Sequence, residues 1–291
     1  MADASSDSFI SRWQLAVSLK QLREESGLTV EQAAQRLGAS PGRWSKSKLS
    51  RIENRDQMIR PRELDQLLDL YELKDNEKRA AIQDVLDSAR KRGWWVSFRR
   101  AIPERFQPFI SMEAAAVSLR QYEAFTVPGL LQTPEYARAL MTAVTPDIAA
   151  DDLERRVALR LARQRVLGRD NPVALHAIID ESVLERPVGR PVVMRAQLRR
   201  LLDFAAESNA TLQILRRSAG PHPGLEGPFT IVSLPEPLPD IGYAEGQGGL
   251  IYLESSDAVR ECTLKFGILT RLALTQAESV DLVNTVLRDC G

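Results

Sequence analysis

Ser45-Lys46-Ser47-Lys48-Leu49-Ser50-Arg51-Ile52-Glu53-Asn54 is the stretch on which the reading of this chain turns. Leu49 and Ile52 are apolar and three apart, so a helix through the stretch hides both on one side. Lys46, Ser47, Lys48, Ser50 and Arg51 occupy the remaining faces, with side chains suited to base edges and phosphates. Two helical patterns lie just upstream. Together they predict the reading helix of a helix-turn-helix domain.

Working outward, Leu15, Leu19 and Leu22 recur at helical spacing and Gly27 offers a C-terminal stop. Thr29-Val30-Glu31-Gln32 matches a capping box, Ala33 and Leu37 face inward, and Gly38 ends that helix. Pro41-Gly42 signals a turn inside 39–43, about five residues more than the usual turn of such a domain. An extruded loop there can tilt the reading helix or add a contact through Arg43. Downstream, Pro61 opens a helix whose stripe is Leu64, Leu67, Leu68 and Tyr71. Residues 1–8 read as a disordered tail, 9–73 as the helix-turn-helix domain and 74–109 as a helical and aromatic linker. Within that linker Trp94, Trp95, Phe98, Phe106 and Phe109 form either a latch between domains or one wall of a pocket.

The balance of charge supports a local docking surface. From Arg36 to Arg62 there are eight basic residues against Glu53 and Asp56, whereas the whole chain is formally neutral, so the remainder is net acidic by six. That excludes a chain that coats nucleic acid indiscriminately. Cys262 and Cys290 are the only cysteines and lack metal-ligand spacing, and no run approaches membrane-spanning length; the expectation is a reducing cytoplasm.

Residues 110–291 read as an α+β regulatory or partner-binding domain. Helices are predicted at 112–123, 134–142, 152–168, 193–206, 256–273 and 276–288, the fifth with Ser256 as cap. Strands are predicted at 173–179, 212–215, 229–234, 241–244 and 250–253. His176 falls inside a strand pattern and reads as a core histidine. His222, between Gly220-Pro221 and Pro223-Gly224, is a loop residue that can line a pocket, as can Gly246-Gln247-Gly248-Gly249. No Cys, His and Asp cluster has metal spacing, no serine sits in a nucleophile elbow, and the adjacent Asp180 and Glu181 read as solvated. No enzymatic activity and no cofactor are expected.

The first domain resembles the XRE-type, lambda-repressor-like helix-turn-helix domain of phage repressors. The resemblance puts Ser45 at the cap, Lys46, Ser47, Ser50 and Arg51 at base-reading positions, and Ser45, Lys48, Asn54 and Arg60 at phosphate contacts. It also pairs Arg23 with Glu53 as a salt bridge between the first and third helices. Val30 stands where relatives often carry a phosphate-touching glutamine. Arg55 stands where a capping glycine is common, which leaves Asn54 to take the left-handed conformation.

The resemblance continues through Val127-Pro128-Gly129-Leu130-Leu131-Gln132-Thr133, Tyr136-Ala137-Arg138-Ala139-Leu140, Arg186-Pro187-Val188-Gly189, His222-Pro223-Gly224-Leu225 and Gly227-Pro228-Phe229-Thr230-Ile231. Over 15–287 the chain is similar to actinobacterial regulators of the WhiJ-like group, whose C-terminal domain has no assigned function. That likeness implies transcriptional control of development or specialised metabolism, and the chain as a whole reads as a cytoplasmic, nucleoid-associated homodimer acting on a double-stranded operator. It further implies an antitoxin-like pairing with a small BldB-like protein partner. Trp94, Trp95, Phe106, His222 and Gly224 are the candidate effector or partner pocket. A small-molecule-responsive regulator, or a protein scaffold that leaves DNA alone, are the alternatives.

Overall fold

A computed structural model describes residues 8–39, 43–90, 98, 102–246 and 249–290. The chain divides into two compact units, the first built on residues up to 96 and the second on most of the remainder.

The first unit is five helices: α1 Ser8–Glu25, α2 Val30–Arg36, α3 Lys46–Glu53, α4 Pro61–Leu70 and α5 Asn76–Ser88. Each boundary has a local cause. Gly27, at φ 68°, ends α1 in the left-handed region that a side chain disfavours. Thr29 caps α2 through the Gln32 backbone while the Gln32 side chain answers the Thr29 N–H, the reciprocal box expected of these residues. Pro61 starts α4, and Asp75 caps α5. Leu15, Leu19, Ala33, Leu37, Leu49, Ile52, Leu64, Leu67 and Leu68 form one core. Leu86 of α5 belongs to it as well, at 1% exposed. The linker expected from residue 74 is therefore, through 88, part of the head: α1 to α4 leave the core open, and α5 closes it against α1 and α4.

The second unit is a six-stranded mixed sheet clothed by helices, an α+β domain as expected. Its elements are α6 Gln107–Ala115, β1 Ser118–Glu123, α7 Pro134–Val144, α8 Ala150–Arg163, β2 Ala174–Asp180, α9 Glu181–Glu185, α10 Pro191–Ala205, β3 Ala210–Leu215, β4 Phe229–Ser233, β5 Ile241–Gly246, β6 Gly249–Leu253, α11 Ser256–Leu272 and α12 Gln276–Asp289. The strand order is β3-β2-β1-β4-β5-β6. β1, β2 and β3 are parallel, while β4, β5 and β6 continue antiparallel from the other side of β1.

The helix expected over 112–123 is two elements. α6 ends at Ala115, and 118–123 is the central strand, with Leu119 and Tyr122 each 1% exposed. Two ladders, to Ala174–Ile179 and to Phe229–Ser233, override the helix-like spacing of its side chains. Ser255 rather than Ser256 caps α11. One face of the sheet carries Tyr122, Ile178, Phe229 and Ile231 against Phe266 and Leu269 of α11. The alternate residues of β1 and β5 point the other way, where Phe109 of α6 stacks on Tyr243 at 4.1 Å.

Candidate nucleic-acid interface

The inner side of α3 is secured on three sides. The Ser45 hydroxyl oxygen accepts from the Lys48 N–H at 3.1 Å, capping the helix. Leu49 and Ile52 sink into the core. In the last turn both oxygens of Glu53 accept from Arg23 of α1, from Nε at 2.7 Å and Nη2 at 3.0 Å, while Arg23 Nη1 donates to the Leu28 carbonyl at 2.7 Å. Both side chains are under a tenth exposed. Hydrogen bonding to Glu53 holds the Arg23 guanidinium above its ordinary value. The expected tie between first and third helices is thus a buried, two-pronged pair.

The outer side of α3 is Lys46, Ser47, Ser50, Arg51 and, just past its end, Asn54. They follow one another at the three- and four-residue steps that line a single stripe. All but Ser50 are exposed. Arg51 Nη1 donates to Ser47 Oγ at 2.9 Å and its Nε to Gln57 Oε1 at 3.1 Å; Asn54 Nδ2 donates to Ser50 Oγ at 3.2 Å. Lys46 pairs with Glu31 of α2, whose carboxyl it holds below the usual range. All these contacts lie at the surface, so exchanging them for a base edge costs little. Arg43, Arg60 and Arg62 are also exposed. Of the extension 39–43, residues 40–42 lie outside the described residues, and Arg43 stands at φ 51°.

Two expectations for this surface are corrected. Lys48, expected on phosphate, turns inward. Its Nζ lies 2.6 Å from Glu63 Oε1 of α4 and 4.4 Å from the centre of the Trp44 ring, and the residue is 8% exposed. A four-carbon stem is long enough to cross from α3 to the first turn of α4. Burial pushes the Glu63 carboxyl up, yet the Lys48 ammonium and the Arg60 backbone N–H outweigh burial and hold it below the usual range. Secondly, Asn54 keeps φ −93°, and Arg55 itself takes the left-handed position at φ 72°. Its guanidinium lies 4.7 Å from the centre of the Trp13 ring, a contact that offsets part of the backbone cost.

In the second unit the segment 127–133 leaves β1 as a 3₁₀ turn at Gly129–Leu131 and is pinned by glutamines. Gln132 Nε2 donates to the Val127 carbonyl, Gln164 Nε2 to the Gln132 carbonyl and Gln197 Nε2 to the Leu131 carbonyl, at 2.7, 2.7 and 2.8 Å. Thr133 then caps α7, and the Tyr136 hydroxyl accepts from the Val127 N–H. Residues 106–285, more than half of the chain, match the family model described as "Domain of unknown function (DUF5753)". The chain belongs to the DUF5753 family. Residues 14–81 match a helix-turn-helix domain, which spans most of α1 through α5. No curated protein and no solved structure matches the chain.

Of the pocket expected from Trp94, Trp95, Phe106, His222 and Gly224, the three described residues do not lie together. Trp94 and Trp95 lie outside the described residues, as do Gln247 and Gly248. Phe106 packs on Phe109 and under the Arg163 guanidinium, on the Tyr243 side of the sheet. His222 and Gly224 instead lie against Tyr122, on the α11 side. Strand alternation separates the two sets. A Cβ on Gly224 would stand 2.5 Å from the Tyr122 ring, so the loop needs glycine there. His176, expected as a core histidine, is only half-buried: its Nε2 meets Gln213 Oε1 at 2.7 Å, and burial lowers its pKa.

A buried ion pair with no motif to announce it in the sequence lies beneath the DUF5753 sheet. Glu113 gives both carboxylate oxygens to Arg163 at 2.7 Å, and both side chains are under a tenth exposed. The pair's signal in the sequence is Arg163, one turn beyond the buried Leu159 on α8. Among the described residues no helix is long and apolar enough to cross a membrane.

Proposed function

We propose that this protein is a sequence-specific DNA-binding transcriptional regulator that acts as a homodimer, with the DUF5753 domain receiving the controlling signal. The observation that carries the reading is the division of α3. Its inner side is locked by Leu49, Ile52, Lys48–Glu63 and Arg23–Glu53, and its outer side holds Lys46, Ser47, Ser50, Arg51 and Asn54. A helix fixed in this way presents donors to a major groove with little further loss of side-chain freedom. Two such helices would enter successive grooves about 34 Å apart. The likeness to WhiJ-like actinobacterial regulators supports a role in development or specialised metabolism and a small antitoxin-like partner for the second domain. Two cysteines without metal-ligand spacing support a cytoplasmic location, and DNA binding a nucleoid-associated one.

Fluorescence anisotropy of the full chain on duplex fragments from its own promoter tests this. Binding is expected to weaken steeply as salt rises, because phosphate contacts release condensed counterions, and one fragment should outcompete random duplex. Salt-independent or absent binding by a folded protein overturns it.

A further inference from the structure

α11 covers the Tyr122 side of the sheet, against β3, β4 and β5, with Cys262, Phe266 and Leu269 turned inward. Its outer side is apolar as well. Leu264, Ile268 and Leu272 recur every four residues and are 62%, 36% and 42% exposed. They are three of the nine large apolar side chains exposed among the described residues, and no other element carries more than one. Ile251 of β6, also exposed, lies on the same side of the sheet, since it pairs with Ala244, which packs against the α11 cluster. Glu226 accepts from Lys265 of α11 at 2.7 Å, which brings its exposed neighbour Leu225 beside the helix. A continuous apolar stripe of this kind marks a contact surface, unlike apolar residues scattered singly.

Charge indicates what the stripe fits. On the same face Asp257 and Glu261 precede the apolar residues, and Arg271 follows Ile268. From its N-terminus the face therefore reads acid, apolar, base. Two such helices laid antiparallel about a two-fold axis between Leu264 and Ile268 bring Leu264 of each copy onto Ile268 of the other. The same operation sets Glu261 of each beside Arg271 of the other, so every favourable pair occurs twice. Arg271 is exposed and forms no ion pair among the described residues, and Glu261 is paired only within α11, with Lys265 at the surface.

Gly267 gives an independent argument. Glycine within a helix destabilises it relative to alanine. Nothing in this chain needs one here: a Cβ would meet no atom nearer than Arg271 Nη1, at 3.8 Å. Beside Ile268 at the edge of the stripe, the missing side chain leaves room for a facing helix to come close.

We propose that the outer face of α11 is the interface between two copies of this chain, packed antiparallel about a two-fold axis between Leu264 and Ile268. This rests on the homodimer put forward above and names the surface that forms it.

Sedimentation equilibrium of the full chain tests the two and separates them. The parent is expected to dimerise. Ile268→Glu, which lies outside the core, should raise the dimer dissociation constant at least about 30-fold with the circular dichroism unchanged. Leu264→Lys serves in its place if that variant does not fold. Glu261→Arg and Arg271→Glu should each weaken the dimer about tenfold, because each change counts twice about the axis, and combining them should restore it. A parent that stays monomeric overturns the homodimer and this interface with it, and assigns the stripe to a different protein. A dimer undiminished in Ile268→Glu overturns the interface alone. Weakening in Ile268→Glu without recovery in the charge-exchanged double variant overturns the antiparallel pairing.

Discussion

Arg51 and Lys48 lie three residues apart on α3, yet the first is exposed and the second is buried against Glu63, and the difference decides what each substitution does. Arg51→Ala removes the donor fork from the exposed stripe and leaves the core untouched. Selectivity at one base position should fall by about 1–3 kcal/mol with the melting temperature unchanged, as read by anisotropy against single-base operator variants. Lys48→Met should do the reverse. Glu63 would be left enclosed without its cation, at a cost of about 3 kcal/mol. Denaturant titration of Lys48→Met beside Lys48→Met/Glu63→Gln checks this, and the double variant should recover most of the loss. The outer stripe was legible in the sequence because helical spacing alone assigns it. The inward turn of Lys48 was not, since it depends on an acid fifteen residues later whose direction only the packing of α3 on α4 sets.

At the scale of elements, most boundaries could be read from capping residues and prolines, and the failures share one cause. β1 was hidden because Arg120, Gln121 and Glu123 carry no strand signature; its two ladders come from segments over fifty residues away. The same distance hid the partners of Tyr122, and with them the need for glycine at 224. Gly224→Ala should strain that contact and lower stability by about 1–3 kcal/mol, measured by chemical denaturation. The end of β1 also carries a pH signature. Folding favours the protonated Glu123, so its stabilising contribution is complete below the ordinary carboxylate value and is lost as pH rises through about 7. Thermal melts of Glu123→Gln should therefore decline less than those of the parent between pH 5 and 8, intervals set by that shift.

For the whole molecule, the two units differ in how far apart in sequence their contacts lie. The core of the head closes entirely between Leu15 and Leu86. The sheet cannot close until β4, at residues 229–233, has joined β1. Low contact order favours quick closure of the head and a slower sheet. A chain truncated before Phe229 should keep the melting transition of the head yet aggregate, as seen by light scattering, because β1 would expose an unpaired edge. During synthesis at the ribosome this order has a practical result. The part that grips a duplex would be finished while the central strand of its companion still waits for a neighbour more than a hundred residues away, a window in which a chaperone has something to hold.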